Sequence, residues 1–268
     1  MDLSKIKDLP PMPQIAQKVI DVLNDPDFSF AELVRVITKD SGITAAILRL
    51  ANSSFYSPRN EIINLTQAIS FLGAKSVKNL VLSLSTKSLF GGEKISLIDQ
   101  KLWEHSVSVA IFSRILMLKL NIKLAEEAFI IGLLHDLGIT VMKKNIEDYD
   151  YVLQEAFNEG VEIYLAELEK YGFTHSEVCG NLLAFWKMPK LYSEVIACHH
   201  KPCKREDELL SNVLFVANEY CKSIGLGIGG YRNIDDCLSM LKIPSEVFED
   251  VKFQFDGIYK LEKDLFRL

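Results

Sequence analysis

No stretch of this 268-residue chain stays apolar for the ~20 residues that a bilayer-spanning helix needs. No membrane association is therefore expected. The opening Met1-Asp2-Leu3-Ser4-Lys5-Ile6-Lys7-Asp8 lacks the apolar run of a signal peptide, so a cytoplasmic protein is expected. Low-complexity segments and clear repeats are also lacking. There is no excess of positive charge: the formal net charge is −6. That argues against general binding to nucleic acid or to anionic membranes, which favours a basic face. Net charge says nothing about distribution, so a local basic patch stays open.

Cysteine is scarce and odd in number. Cys179, Cys198, Cys203, Cys221 and Cys237 form no CxxC pair. Reduced thiols are the expected state. A Cys/His zinc site is the lesser alternative, because Cys198 and Cys203 flank a histidine pair. Period-2 alternation is almost absent, and without it there is little to build a half-buried strand from.

Helical spacing is what remains, and it predicts an all-α fold. Ile15, Val19, Val22 and Leu23 make one helical face. Ser29 with Glu32, and Thr174 with Glu177, have the spacing of capping boxes. Phe28/Leu33 and Phe173/Val178 stand at the matching staple positions. Gly73 is placed to cap the end of a helix over 66–72. A helix over 102–120 is apolar on most faces, as a central buried helix should be. A helix over 126–134 leads into His135-Asp136, and Gly138 is expected to loosen or end it. Val161 to Tyr171 is expected to form the next helix. A later helix is expected to carry His199-His200 and stop before Pro202. Gly91-Gly92 offers a hinge, which predicts an N-terminal helical lobe over 1–92 and a second helical lobe over 93–268.

All five histidines fall in one ordered series: His105, His135 (followed at once by Asp136), His175, and the pair His199-His200. None is left for ordinary surface or core duty. Imidazole and carboxylate are common ligands for transition metals. A bare His-Asp dipeptide carries almost no information. The whole series on successive predicted helices is much harder to obtain by chance, and helix bundles build metal sites from inward faces in this way.

The series resembles the HD superfamily of metal-dependent phosphohydrolases. The first half narrows the resemblance. Leu9-Pro10-Pro11-Met12-Pro13, Lys39-Asp40-Ser41-Gly42-Ile43-Thr44, Leu48 to Tyr56 and Ala68-Ile69-Ser70-Phe71-Leu72-Gly73 look like the HDOD domain, the HD-related output domain of bacterial signalling proteins. The stretch from His175 through Trp186-Lys187-Met188-Pro189 to His199-His200 looks like the same family. The resemblance covers roughly residues 5 to 225. It implies a helical lobe followed by an HD-like bundle, and a regulatory module rather than an established enzyme.

Carried over by position, the HD pattern gives His105, His135, Asp136, His175, His199 and His200 as candidate metal ligands. The family's last ligand is usually an Asp, and here Asn218 stands in its place. Asp136 is then the only carboxylate in the set, which favours one divalent transition metal (Fe, Mn, Ni or Zn) over a two-metal centre. Active cyclic-dinucleotide phosphodiesterases of the superfamily follow the doublet with Ile-Gly-Lys. This chain has Leu137-Gly138-Ile139 and so lacks that lysine. Their Gly-Tyr-Pro signature is absent too. Lys187, Lys190, Lys201 and Lys204 are alternative cations near the site.

Two functions follow as expectations. The first is a signalling module that acts in trans on partner proteins, with a pocket for a metal or a phosphate-bearing ligand such as a nucleotide. The second is a metal-dependent phosphohydrolase of a nucleotide phosphomonoester or phosphodiester. In that case Asp136, His199 and His200 would carry the chemistry.

Overall fold

The computed structural model describes residues 5–53, 56–90, 95–201, 208–241 and 243–262, with the side chains of 261 and 262 set aside. Among the described residues the secondary structure is helical, with no strand. In chain order the helices are α1 (Gln14–Asn24), α2 (Phe30–Ile37), α3 (Ser41–Ala51), α4 (Leu65–Leu72), α5 (Ala74–Thr86), α6 (Leu97–Leu120), α7 (Ala125–Leu134), α8 (Leu137–Asn145), α9 (Tyr149–Glu159), α10 (Ile163–Tyr171), α11 (His175–Phe185), α12 (Lys190–Ile196), α13 (Glu208–Ser223), α14 (Ile234–Leu241) and α15 (Ser245–Glu262). Among these residues no helix is long and apolar enough to cross a membrane.

The chain divides into two compact units. Of the described residues, one comprises those within 12–88 and 256–262, the other those within 5–11 and 89–255. The division is therefore not a single cut along the chain. Gly91-Gly92, the expected hinge, lies outside the described residues.

In the first unit, the N-terminal lobe, α1 packs on α2 and α5, and α3 on α4 and α5. Val19, Leu33, Ile37, Ile47, Ile69 and Val77 are fully buried between them. Ser29 caps α2 by accepting the Glu32 N–H at 3.2 Å. The Glu32 carboxylate accepts from Arg35 at 3.4 Å. Gly73 closes α4 with φ of 82°, a conformation that glycine adopts at little cost.

In the second unit, the histidine lobe, α6 is the central helix. Trp103, Val109, Phe112 and Leu116 on different faces of it are all buried, and α7 and α13 pack against it. Its N-terminus carries a capping box that the sequence reading missed, Ser96 with Asp99. Phe112 lies at the centre of an aromatic cluster with Tyr220, Phe248 and Phe255. Thr174 and Glu177 form the expected capping box at α11.

Gly138 corrects one expectation. It neither loosens nor ends a helix, because it lies inside α8, which starts at Leu137. Its role is close packing. A Cβ there would lie 1.9 Å from the His175 carbonyl oxygen and 2.9 Å from the Cys179 nitrogen of α11. The α8–α11 contact thus depends on a missing side chain. Gly138→Ala is expected to lower stability by about 3 kcal/mol, the upper end of overpacking costs. The check is a urea-denaturation midpoint, and an unchanged midpoint would show that α8 and α11 can part freely.

Candidate functional site

His105 comes from the middle of α6. His135 takes the C-cap position of α7, and Asp136 takes the N-cap position of α8. An Asp at that position usually accepts a hydrogen bond from its own helix. Asp136 makes no such bond and turns inward instead. His175 is the first residue of α11, held there by the Thr174–Glu177 box. His199 and His200 correct a second expectation. Helix α12 ends at Ile196, so the pair sits in the turn beyond it.

These residues converge on one carboxylate. Asp136 Oδ2 lies 3.1 Å from His135 Nε2 and 3.5 Å from His105 Nε2. Its Oδ1 lies 3.3 Å from His175 Nε2 and 3.4 Å from His199 Nε2. His200 Nε2 is 2.9 Å from His175 Nε2. The set is closed from solvent: Asp136 is 5% exposed, His200 is 7%, and the other four histidines are 2% or less. Two ligand trios have their donor atoms within 4.8 Å of one another, His105/His135/Asp136 and His175/His199/His200.

Outer contacts fix which nitrogen faces inward. His135 Nδ1 donates to Gly132 O at 2.7 Å, and His199 Nδ1 donates to Ile196 O at 2.8 Å. Each ring then turns its Nε2 lone pair toward Asp136, where it is buried and has no hydrogen-bond partner. Metal-binding histidines are held by such second contacts. Two orphaned, inward lone pairs beside a carboxylate are a donor set that fits a divalent transition metal. His135, Asp136 and His199 would hold it, with His105 and His175 adjoining.

Glu167 was not anticipated by the sequence reading. It is fully buried in α10. Its carboxylate accepts the His175 backbone N–H at 2.8 Å and lies 2.8 and 2.9 Å from His175 Nδ1. It also accepts from the Tyr149 hydroxyl. A signal existed, since Glu167 stands on the same helical face as the buried Ile163 and Tyr164. Tyr164 stacks on His200, with ring centroids 4.3 Å apart.

Charge follows from these contacts. Burial would lower the His175 pKa, but Glu167 and Asp136 overcome it and hold the ring at about 9. His175 is therefore the donor toward His200 Nε2. Burial lowers His199 to about 3 and His200 well below the usual imidazole range. Burial would raise the Asp136 pKa, yet the surrounding histidines keep its carboxyl well below the usual range.

Asn218 sits beside His105, not beside His199. Its Oδ1 is 2.9 Å from His105 Nε2, while His105 Nδ1 donates to Leu226 O at 2.6 Å. Burial lowers His105 to about 4. An amide can present either its oxygen or its N–H to the ring, so Asn218 serves both protonation states without adding charge. The carbonyl of Leu226 reaches His105 through a glycine turn. A Cβ on Gly227 would sit 3.0 Å from His105 Nδ1.

Ile139 is 1% exposed and supplies no cation. Lys187 and Lys190 are exposed, and Lys190 pairs with Glu194 at 2.9 Å. Lys201 lies 6.0 Å above the Tyr164 ring. Lys204 and Cys203 lie outside the described residues. Cys198 is disulfide-bonded, which departs from the expectation of reduced thiols throughout; Cys179, Cys221 and Cys237 are free and buried.

The HDOD domain model matches residues 9–202. The chain belongs to the HDOD family. An HDOD domain protein of unknown function from Geobacter sulfurreducens is 23% identical, with a TM-score of 0.77, over 98% of this chain and 93% of that one. A protein provisionally named a metal-dependent phosphohydrolase, from Shewanella amazonensis, is 20% identical, with a TM-score of 0.76, over 99% and 96%. At these identities the HDOD fold is what is shared. An uncharacterized protein of Treponema pallidum (strain Nichols) is 24% identical over 251 residues. The HDOD chain spans about half the length of that curated relative, 48%.

Glu167 gives the site its clearest test. Glu167→Gln keeps the shape but removes the charge behind His175. Its affinity for a divalent metal, measured by titration, is expected to fall about 10–100-fold, the usual effect of losing such a second contact. Unchanged affinity would show that His175 does not depend on Glu167.

Proposed function

We propose that this HDOD chain is a regulatory module that acts on signalling proteins through contact, with one divalent transition metal held in its closed histidine core. The observation that carries this reading is the burial of the donor set. The Nε2 atoms around Asp136 belong to side chains that are 2% exposed or less, and two of them have no protein partner. Such a core suits an ion that stiffens the junction of α6, α7, α11 and the turn after α12. It suits the turnover of a phosphate ester poorly, because the ester must enter and leave. Ile139 and Asn218 point the same way, since neither provides the charge that phosphate chemistry uses.

A phosphohydrolase is the second reading, and one observation favours it. His200 is the most exposed of the histidines at 7%. Tyr164 stacks on it, and Lys201 lies over the same ring, so a phosphate-bearing ligand would find an aromatic face and a cation at the rim. A bound divalent cation would supply positive charge to polarise a phosphoryl oxygen. Asp136 would hold the charge balance, and His200 would position the phosphate or donate a proton.

The two readings separate on turnover. Purified protein supplied with Mn, Fe, Ni or Zn is expected neither to release phosphate from nucleotide monoesters nor to convert diesters to monoesters above the level of a His135→Ala variant. Efficient turnover that His135→Ala abolishes would replace the regulatory reading with the enzymatic one.

A further inference from the structure

Charge is unevenly spread along this acidic chain. Residues 41–88 carry Arg49, Arg59, Lys75, Lys78 and Lys87 against the single acid Glu61. Residues 145–169 reverse the balance, with eight Asp or Glu and no Lys or Arg.

Part of the basic segment forms a groove in the N-terminal lobe. The groove has a volume of about 1110 Å3, and Arg49 and Arg59 line it beside Ala45, Leu48, Pro58 and Ile62. Neither guanidinium has an ion pair among the described residues. Ser53 adds a buried hydroxyl with no hydrogen-bond partner. Lys87 is close enough to feel the charge of Arg49, which, after burial, lowers its pKa. The groove therefore combines apolar walls with two arginines against one lining acid, Glu61, and its charge is positive on balance.

The acidic segment makes up most of the hairpin of α9 and α10 in the histidine lobe, where Lys170 at the end of α10 pairs with Asp148 at 2.8 Å. It exposes large apolar side chains, with Tyr151 75% exposed and Phe157, Leu165 and Leu168 at 43–49%. Glu155, Glu159 and Glu169 are exposed beside them and have no ion pair among the described residues. Exposed apolar groups rimmed by charge are the composition of a contact surface.

We propose that the Arg49–Arg59 groove docks the α9–α10 hairpin of a second copy of this chain. Each surface supplies the charge that the other lacks, and each supplies apolar area. The contact joins two different patches, so it is heterologous and builds a ring or an open chain of copies. The charges it uses, Arg49, Arg59, Glu155 and Glu159, lie outside the histidine core, so it stands or falls separately from the metal, although α10 also carries Glu167.

A charge swap tests it. Sedimentation velocity on the full chain, across the micromolar range, is expected to show mass rising with concentration. Association should weaken about tenfold at high salt, as surface charges are screened within ~3 Å at 1 M. Arg49→Glu with Arg59→Glu makes the groove acidic, and Glu155→Lys with Glu159→Lys makes the hairpin basic. Each double variant alone is expected to stay monomeric, with wild-type circular dichroism to show that it is folded. Mixed together they should associate again, because each groove then meets a hairpin of opposite sign. A wild-type monomer at every concentration would overturn the proposal. So would association that ignores the reversals, or a mixture that fails to recover. A change in sedimentation at constant mass would also overturn it, by placing the contact within one chain.

Discussion

A buried carboxylate with four imidazole nitrogens around it constrains the rest of the histidine lobe. Asp136 is 5% exposed, and a lone charge at such depth would cost several kcal/mol. Two features offset that cost. The His175 imidazolium faces Oδ1 at 3.3 Å from the start of α11, while rings from α6, from the end of α7 and from the turn after α12 enclose the carboxylate. Asp136 also stands at the head of α8, where the helix dipole favours an anion. Moving any of these elements by an ångström would break the arrangement. The lack of a side chain at Gly138, which lets α8 and α11 meet, is therefore part of the site as much as the ligands are.

Outside this inner ring the structure spends neutral partners and one acid. Backbone carbonyls of Gly132, Ile196 and Leu226 set the tautomers of His135, His199 and His105. Glu167 holds His175 by its Nδ1–H. Asn218, where the family pattern has an acid, keeps the negative charge low.

Much of this was legible in the sequence, and the gaps have physical causes. Apolar spacing of 3–4 residues predicted the all-α fold, and the Thr174–Glu177 box placed His175 in the first turn of its helix. The ordered histidines named the residues that converge. Helices α8 and α9 escaped notice because Gly138 reads locally as a breaker, while its real partner, the His175 carbonyl, is distant in sequence. Glu167 escaped because one acid on an apolar helical face resembles a surface residue until its partner is known. The His199-His200 pair read as helical because turns and helices share their short-range spacing. Leu226 could not be found at all, since it contributes only a backbone oxygen.

The most direct test of the closed, single-metal core is stoichiometry. Metal-depleted protein titrated with Mn, Fe, Ni or Zn should bind one equivalent, and His135→Ala or His199→Ala should abolish that binding while retaining helix content. Two equivalents of comparable affinity, or binding that survives both substitutions, would contradict it.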